Sequence, residues 1–229
     1  MKTSCLIFSF LFIFSIFGNA QGYNEQINIK RYAEANSKLP APAKNEKRVV
    51  FIGNSITQAW AEQRPDFFTA NNYLGRGIGG QTSPQLLSRF RQDVINLKPA
   101  AVLINIGTND VAENSGSYDE DFTVGNIISM AELAKVNKIK VILSSVTPAG
   151  EYPWRKEIQD VPKKIQSLNA RIKAYAAANK FAYIDYYGSL HDENHALTKS
   201  YGTDGVHLSA QGYEIMEKLA KEVISKTIK

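Results

Sequence analysis

Short apolar runs alternating with longer helical patterns restrict this chain to very few architectures. The runs cover residues 48–52 (RVVFI), 100–106 (AAVLINI), 140–146 (KVILSSV) and 181–186 (FAYIDY), with a shorter one at 72–74. Continuous rather than alternating hydrophobicity over four to eight residues marks strands buried on both faces, as in a parallel sheet. Between them lie stretches with 3.6-residue periodicity. Residues 83–97 open on Ser-Pro and are followed by Pro99. Residues 122–136 carry Ile127, Ile128, Met130, Leu133 and Ala134. Residues 161–179 carry Ile165, Leu168, Ile172 and Tyr175, and residues 209–228 open on Ser209. Strand–helix alternation at this spacing predicts right-handed βαβ crossovers and a three-layer α/β/α sandwich around a mainly five-stranded parallel sheet.

The ends of the chain read differently. Lys2, an uncharged apolar run over residues 5–17 and the small residues Gly18 and Ala20 make the pattern of a secretory signal peptide, too short for a bilayer span. Residues 1–20 are expected to be removed, leaving an exported protein, periplasmic or extracellular, with no membrane insertion after processing. Residues 21–46 form a lead-in, in which 24–39 has the pattern of a short amphipathic helix ended by Pro40-Ala41-Pro42. The remainder, 47–229, is read as one domain. The sole cysteine, Cys5, lies in the leader, so disulfides, thiolate catalysis and cysteine-ligated zinc are excluded from the mature chain. The net charge of +5 is spread over scattered Lys and Arg residues. No basic run interleaved with aromatics is present, and nucleic acid is not an expected partner.

In a parallel α/β sheet, ligands bind beyond the carboxyl ends of the strands. Two polar, glycine-containing clusters fall at that edge: Gly53-Asn54-Ser55-Ile56-Thr57 after the first strand and Gly107-Thr108-Asn109-Asp110 after the third. Ser55, at a strand end and a helix start, suits either a nucleophile or a plain helix cap. A serine nucleophile needs a base. His207, in Thr203-Asp204-Gly205-Val206-His207, precedes the last helix, and Asp204 three residues upstream can reach one ring nitrogen while the other faces a serine. His191 and His195 have i, i+4 spacing but sit in a polar segment after Gly188 that reads as a loop. Neither a metal nor a cofactor is called for. Donors for an oxyanion are offered by the turn Gly77-Ile78-Gly79-Gly80-Gln81-Thr82 and by the Asn109 side chain, which is equally suited to a turn. The glycine-rich turn has neither the GxGxxG register nor a Walker lysine, which disfavours a phosphate loop. Tyr152 and Trp154, in the segment 147–160 after the fourth strand, are candidates to contact substrate or to pin that loop.

Taken in order, GNSIT, the Gly-Gly-Gln-Thr turn, GTND and DGVH resemble the SGNH hydrolases, also called GDSL-like lipases and esterases, over about residues 47–227. The resemblance implies a flavodoxin-like sheet and a triad of Ser55, His207 and Asp204. It further implies an oxyanion hole made by the Ser55 N–H, the Gly80 N–H in preference to that of Gly79, and the Asn109 amide. The chain departs from the family in reading Gly-Asn-Ser where Gly-Asp-Ser is usual. The activity so implied is hydrolysis of short acyl esters, acetyl above all, on a small molecule or glycan. A lysophospholipase or thioesterase shares the same machinery, an acyltransferase would share it too, and a carbohydrate-binding relative without catalysis would share the fold.

Overall fold

A computed structural model describes residues 27–229. The leader at 1–20 lies outside the described residues, as does the start of the expected 24–39 helix. Within that stretch Ile27 is helical, residues 28–32 form turns, and helix α1 runs over Ala33–Lys38. No helix among the described residues is long and apolar enough to cross a membrane.

The chain then alternates as the pattern predicts. Strand β1 (Val49–Gly53) leads into helices α2 (Ser55–Gln63) and α3 (Pro65–Thr69). Strand β2 (Tyr73–Gly77) is followed by α4 (Ser83–Asp93). After β3 (Ala101–Asn105) come α5 (Thr108–Val111) and α6 (Glu120–Val136), then β4 (Lys140–Ser144), α7 (Val161–Ala178), β5 (Ala182–Ile184), α8 (Tyr186–Leu190) and α9 (Ala210–Thr227). The five strands are all parallel, in the order β2-β1-β3-β4-β5. This is the flavodoxin-like order, in which the direction of winding reverses between β1 and β3. The second strand runs three residues further than its apolar signal, because Gly75, Arg76 and Gly77 continue the pairing with β1 without contributing to an apolar run.

Burial on both faces explains the continuous apolar strands. In β1, Val50 and Ile52 face an aliphatic layer with Leu86, Phe90, Met130 and Ile165 from α4, α6 and α7. Val49 and Phe51 face the opposite layer with Trp60, Phe67, Phe68 and Tyr213 from α2, α3 and α9. That second layer holds an aromatic cluster: the Phe51 ring meets Trp60 edge-on at 5.4 Å, and Trp60 stacks on Tyr213 at 5.8 Å. Full burial of side chains of this size contributes about 1.5–3 kcal/mol each, so the sheet forms a rigid floor beneath the loops at its carboxyl edge.

Candidate active site

Ser55 is placed by the way α2 sits on the strand ends. Gly53 closes β1, and a Cβ there would lie 2.2 Å from Thr57 Oγ1 and 2.5 Å from the Asn105 carbonyl. Only glycine lets the first turn of the helix approach so closely. Asn54 is the N-cap, and its Oδ1 accepts from the Ile56 N–H at 3.0 Å. An aspartate would accept the same bond, so Gly-Asn-Ser keeps the turn chemistry of Gly-Asp-Ser. Ser55 is thus the first residue of a helix, at its positive dipole end.

His207 arrives from the far end of the chain. Its neighbours Val206 and Leu208 are both about 1% exposed. They anchor in opposite layers, Val206 in the aliphatic one and Leu208 in the aromatic one. The ring therefore projects from a short segment fixed on either side. Its Nε2 lies 2.9 Å from Ser55 Oγ, and its Nδ1 lies 2.7 Å from Asp204 Oδ2. The other carboxylate oxygen of Asp204 accepts from the backbone N–H groups of His207 (2.8 Å) and Val206 (3.0 Å). Partial burial pushes the Asp204 pKa up, but these N–H donors and the His207 ring outweigh it, and the net shift is downward. Asp204 is accordingly an anion at neutral pH, able to hold the ring with its proton on Nδ1 and a lone pair on Nε2 toward the serine.

The glycine turn lies against Ser55: a Cβ on Gly79 would sit 3.8 Å from the Ser55 Cβ. The two glycines differ in what their amides do. The Gly79 N–H donates to Gln58 Oε1 at 2.8 Å. The Gly80 N–H has no acceptor among the described residues, and Gly80 holds φ +75°, a backbone that suits glycine. Gly80 is therefore the glycine with a donor to spare. Asn109, 2% exposed, gives one amide hydrogen to the Gln81 carbonyl at 3.0 Å and keeps the second. The neighbouring Asp110 carboxylate is pushed up to about 6 by burial, despite accepting from the Ser83 backbone N–H and hydroxyl.

Sequence reasoning missed the support beneath this turn. Arg89, fully buried, donates through Nη2 to the carbonyls of Gly53 and Arg76, through Nε to Gln81 Oε1, and pairs with Asp93 at 2.9 Å. One guanidinium thus ties the ends of β1 and β2 to the turn that follows. The lead-in also reaches it, since the Gln81 side-chain amide donates to the Ile27 carbonyl. Only the i, i+4 pairing of Arg89 with Asp93 is visible in the sequence.

The two aromatic candidates separate. Tyr152 is fully buried, with its hydroxyl 3.3 Å from Thr108 Oγ1. Its ring anchors the 147–160 segment and does not present itself to a ligand, which corrects its assignment as a substrate contact. Trp154 lies over it at 5.4 Å, is 42% exposed, and tilts against the His207 ring at 6.1 Å. His191 and His195 lie in a loop, with His195 at φ +61°. Their rings are 5.2 Å apart and both are tilted or stacked on Tyr187.

Comparison with known proteins gives the family and the fold. The model of the GDSL-like lipase/acylhydrolase family matches residues 51–215. A crystal structure of a GDSL-like lipase from Bacteroides thetaiotaomicron is 63% identical, covers 87% of this chain and 98% of that one, and superposes with a TM-score of 0.86. An isoamyl acetate-hydrolyzing esterase 1 homolog from Bos taurus is 29% identical over 206 residues, 79% of this chain and 82% of that protein. Similarity to the Bacillus subtilis lipoprotein YqeF, 35% identical, is confined to 78 residues, so the match spans about a third of that relative, 32% of its length. From the matched residues and the shared fold, the chain belongs to the GDSL-like lipase/acylhydrolase family of the SGNH hydrolase superfamily and is an ester-hydrolysing enzyme.

Proposed function

We propose that this chain is exported and acts as a serine esterase that removes short acyl groups, acetyl above all, from carbohydrate or other small esters. The observation that carries the reading is the continuous Ser55–His207–Asp204 contact, 2.9 Å and then 2.7 Å. Ser55 Oγ attacks the ester carbonyl carbon while His207 Nε2 takes its proton. The imidazolium so formed is stabilised by the ionised Asp204. The tetrahedral oxyanion is held by the N–H groups of Ser55 and Gly80 and the second amide hydrogen of Asn109. Collapse of this intermediate breaks the bond to the alcohol, which leaves with the proton from His207. Water, activated by the same imidazole, then releases the acid and regenerates Ser55.

Preference for a short acyl group is supported by the absence of a long apolar lid in the sequence between the strands. The acetate ester for which the bovine relative is named points the same way. Trp154, exposed beside His207, offers a flat apolar face on which the ring of a sugar alcohol can rest. The test is a panel of acetylated glycans against p-nitrophenyl esters of rising chain length, with Ser55→Ala as control and fluorophosphonate labelling to locate the nucleophile. Labelling at Ser55 and a preference for acetyl are expected. Faster turnover of long chains would refute the acyl assignment, and wild-type rates in Ser55→Ala would refute the mechanism. Intact mass of the exported protein should correspond to loss of residues 1–20.

A further inference from the structure

We infer that Asn114 is a positioning residue that sets the orientation of the oxyanion-hole amide of Asn109 and links it to Trp154 at the rim. This rests on the esterase reading given above. An asparagine amide has two nearly isosteric orientations, and only one turns Nδ2 of Asn109 toward the oxyanion. A chain of bonds selects that one. The Trp154 indole N–H, a group that can only donate, lies 3.0 Å from Asn114 Oδ1. This fixes the Asn114 amide with its nitrogen inward. That nitrogen donates to Asn109 Oδ1 at 3.0 Å and to the Gly80 carbonyl at 3.4 Å. Asn109 is thereby held with its oxygen toward Asn114 and its own nitrogen toward the Gln81 carbonyl and the reacting centre.

The same residue acts on the backbone donor. Gln58 pins the peptide preceding Gly79 through the Gly79 N–H, and Asn114 pins the peptide following Gly80 through its carbonyl. The peptide between them carries the free Gly80 N–H, so its plane is clamped on both sides. Asn114 is itself placed by a tight turn: its N–H bonds the Asn109 carbonyl at 3.0 Å, and Glu113 adopts φ +56°. Arg155 donates to the Glu113 carbonyl at 2.9 Å, a second tie between this turn and the segment bearing Trp154. Substrate contact at Trp154 is therefore mechanically connected to the oxyanion donors, through a residue that touches no reacting atom.

Because Asn114 is exposed, its truncation opens no cavity, and the test is one of rate. With p-nitrophenyl acetate, Asn114→Ala should lower kcat about 10-fold while KM stays within about twofold, a fraction of the loss from removing an oxyanion donor outright. In an Asn109→Ala background the same change should cost clearly less, since only its hold on the Gly80 carbonyl remains. Asn114→Asp keeps the acceptor for Trp154 and loses both donors, so it should be impaired like the alanine variant. An equal fold-loss in both backgrounds, a loss carried by KM alone, an unchanged kcat, or a wild-type-like Asn114→Asp would each overturn the inference. Fluorophosphonate labelling separates the two levels. Failure to label Ser55 in the wild type removes the esterase reading and this inference with it. Ser55 labelling at the wild-type rate in Asn114→Ala removes the positioning role alone.

Discussion

The two halves of the site are built by opposite means. On the proton-relay side, apart from the contact to Ser55, the polar groups of Asp204 and His207 bond within residues 203–207, and both side chains are partly exposed, at 42% and 31%. On the oxyanion side, hydrogen bonds join Gly53, Arg76, Gln81, Arg89, Asn109 and Asn114, which come from two strands and two crossovers, and Arg89 and Asn109 are almost entirely buried. A local hairpin-like turn can place a ring that rotates and shuttles protons. Fixed donors for a transient negative charge must not reorganise during reaction, and long-range buried bonds hold them still. Changes on the relay side should therefore cost mainly rate, and changes at the buried residues of the oxyanion side should cost both rate and stability.

The largest expected effect tests the first half of that division. His207→Ala should reduce kcat by about 10⁴-fold or more, with a melting temperature within about 2 °C of wild type, as for other partly exposed sites. A fall of more than 5 °C would break the contrast. Next is Arg89→Met, which leaves Asp93 and the carbonyls of Gly53 and Arg76 without their buried partner. Denaturant unfolding should show a loss of about 3–5 kcal/mol, and a loss below about 1 kcal/mol would mean the turn stands without it. Asn109→Ala should combine the two, with kcat down about 10²–10³-fold and stability down by about 1–3 kcal/mol from the orphaned Gln81 carbonyl. Kinetics and calorimetry on the same sample decide it, and an unchanged melting temperature would erase the distinction between the halves.

The smallest effect is a pH signature, and the carboxylates on the two sides have opposite signs. Asp110, on the oxyanion side, rises from an ordinary 3.8 to about 6 on folding. Between these values the folded chain keeps a proton that the unfolded chain has lost. Its contribution to stability therefore falls as pH rises from about 4 to about 6, and stays low above that. Asp204, lowered on folding, contributes stability above its unfolded pKa, and this is lost as pH falls through its folded pKa. Melting curves of wild type and Asp110→Asn, compared from pH 4 to 7, should draw together as pH rises if the asparagine is the less stable at pH 4, or move in its favour if it is not. A constant difference would show that Asp110 does not titrate there.

The sequence exposed these two halves unequally. Ser55, His207 and Asp204 are chemically conspicuous and sit in short local motifs, and their strand-end and pre-helix positions followed from apolar periodicity. Asn109 was reached through its place after β3, and Gly80 through the family resemblance of the glycine turn. The supports were hidden for a physical reason: Arg89, Gln58 and Asn114 each depend on at least one bond to a residue 21 to 40 positions away, and no local pattern encodes which atoms a long side chain will meet. Tyr152 and Trp154 were indistinguishable because an irregular loop has no period from which to tell inward from outward.

The contacts of the lead-in bear on where this protein begins as a folding unit. The family match starts at residue 51, yet the Tyr32 hydroxyl donates to the Gly77 carbonyl, Gln92 donates to the Ile29 carbonyl, and Asn36 lies between Arg76 and Asp93. The partners of Arg89 are thus themselves partnered by the stretch ahead of the shared region. A boundary drawn from similarity alone would cut through a single interlocked polar cluster, and a chain trimmed to it would lose the outer wall of its own oxyanion turn.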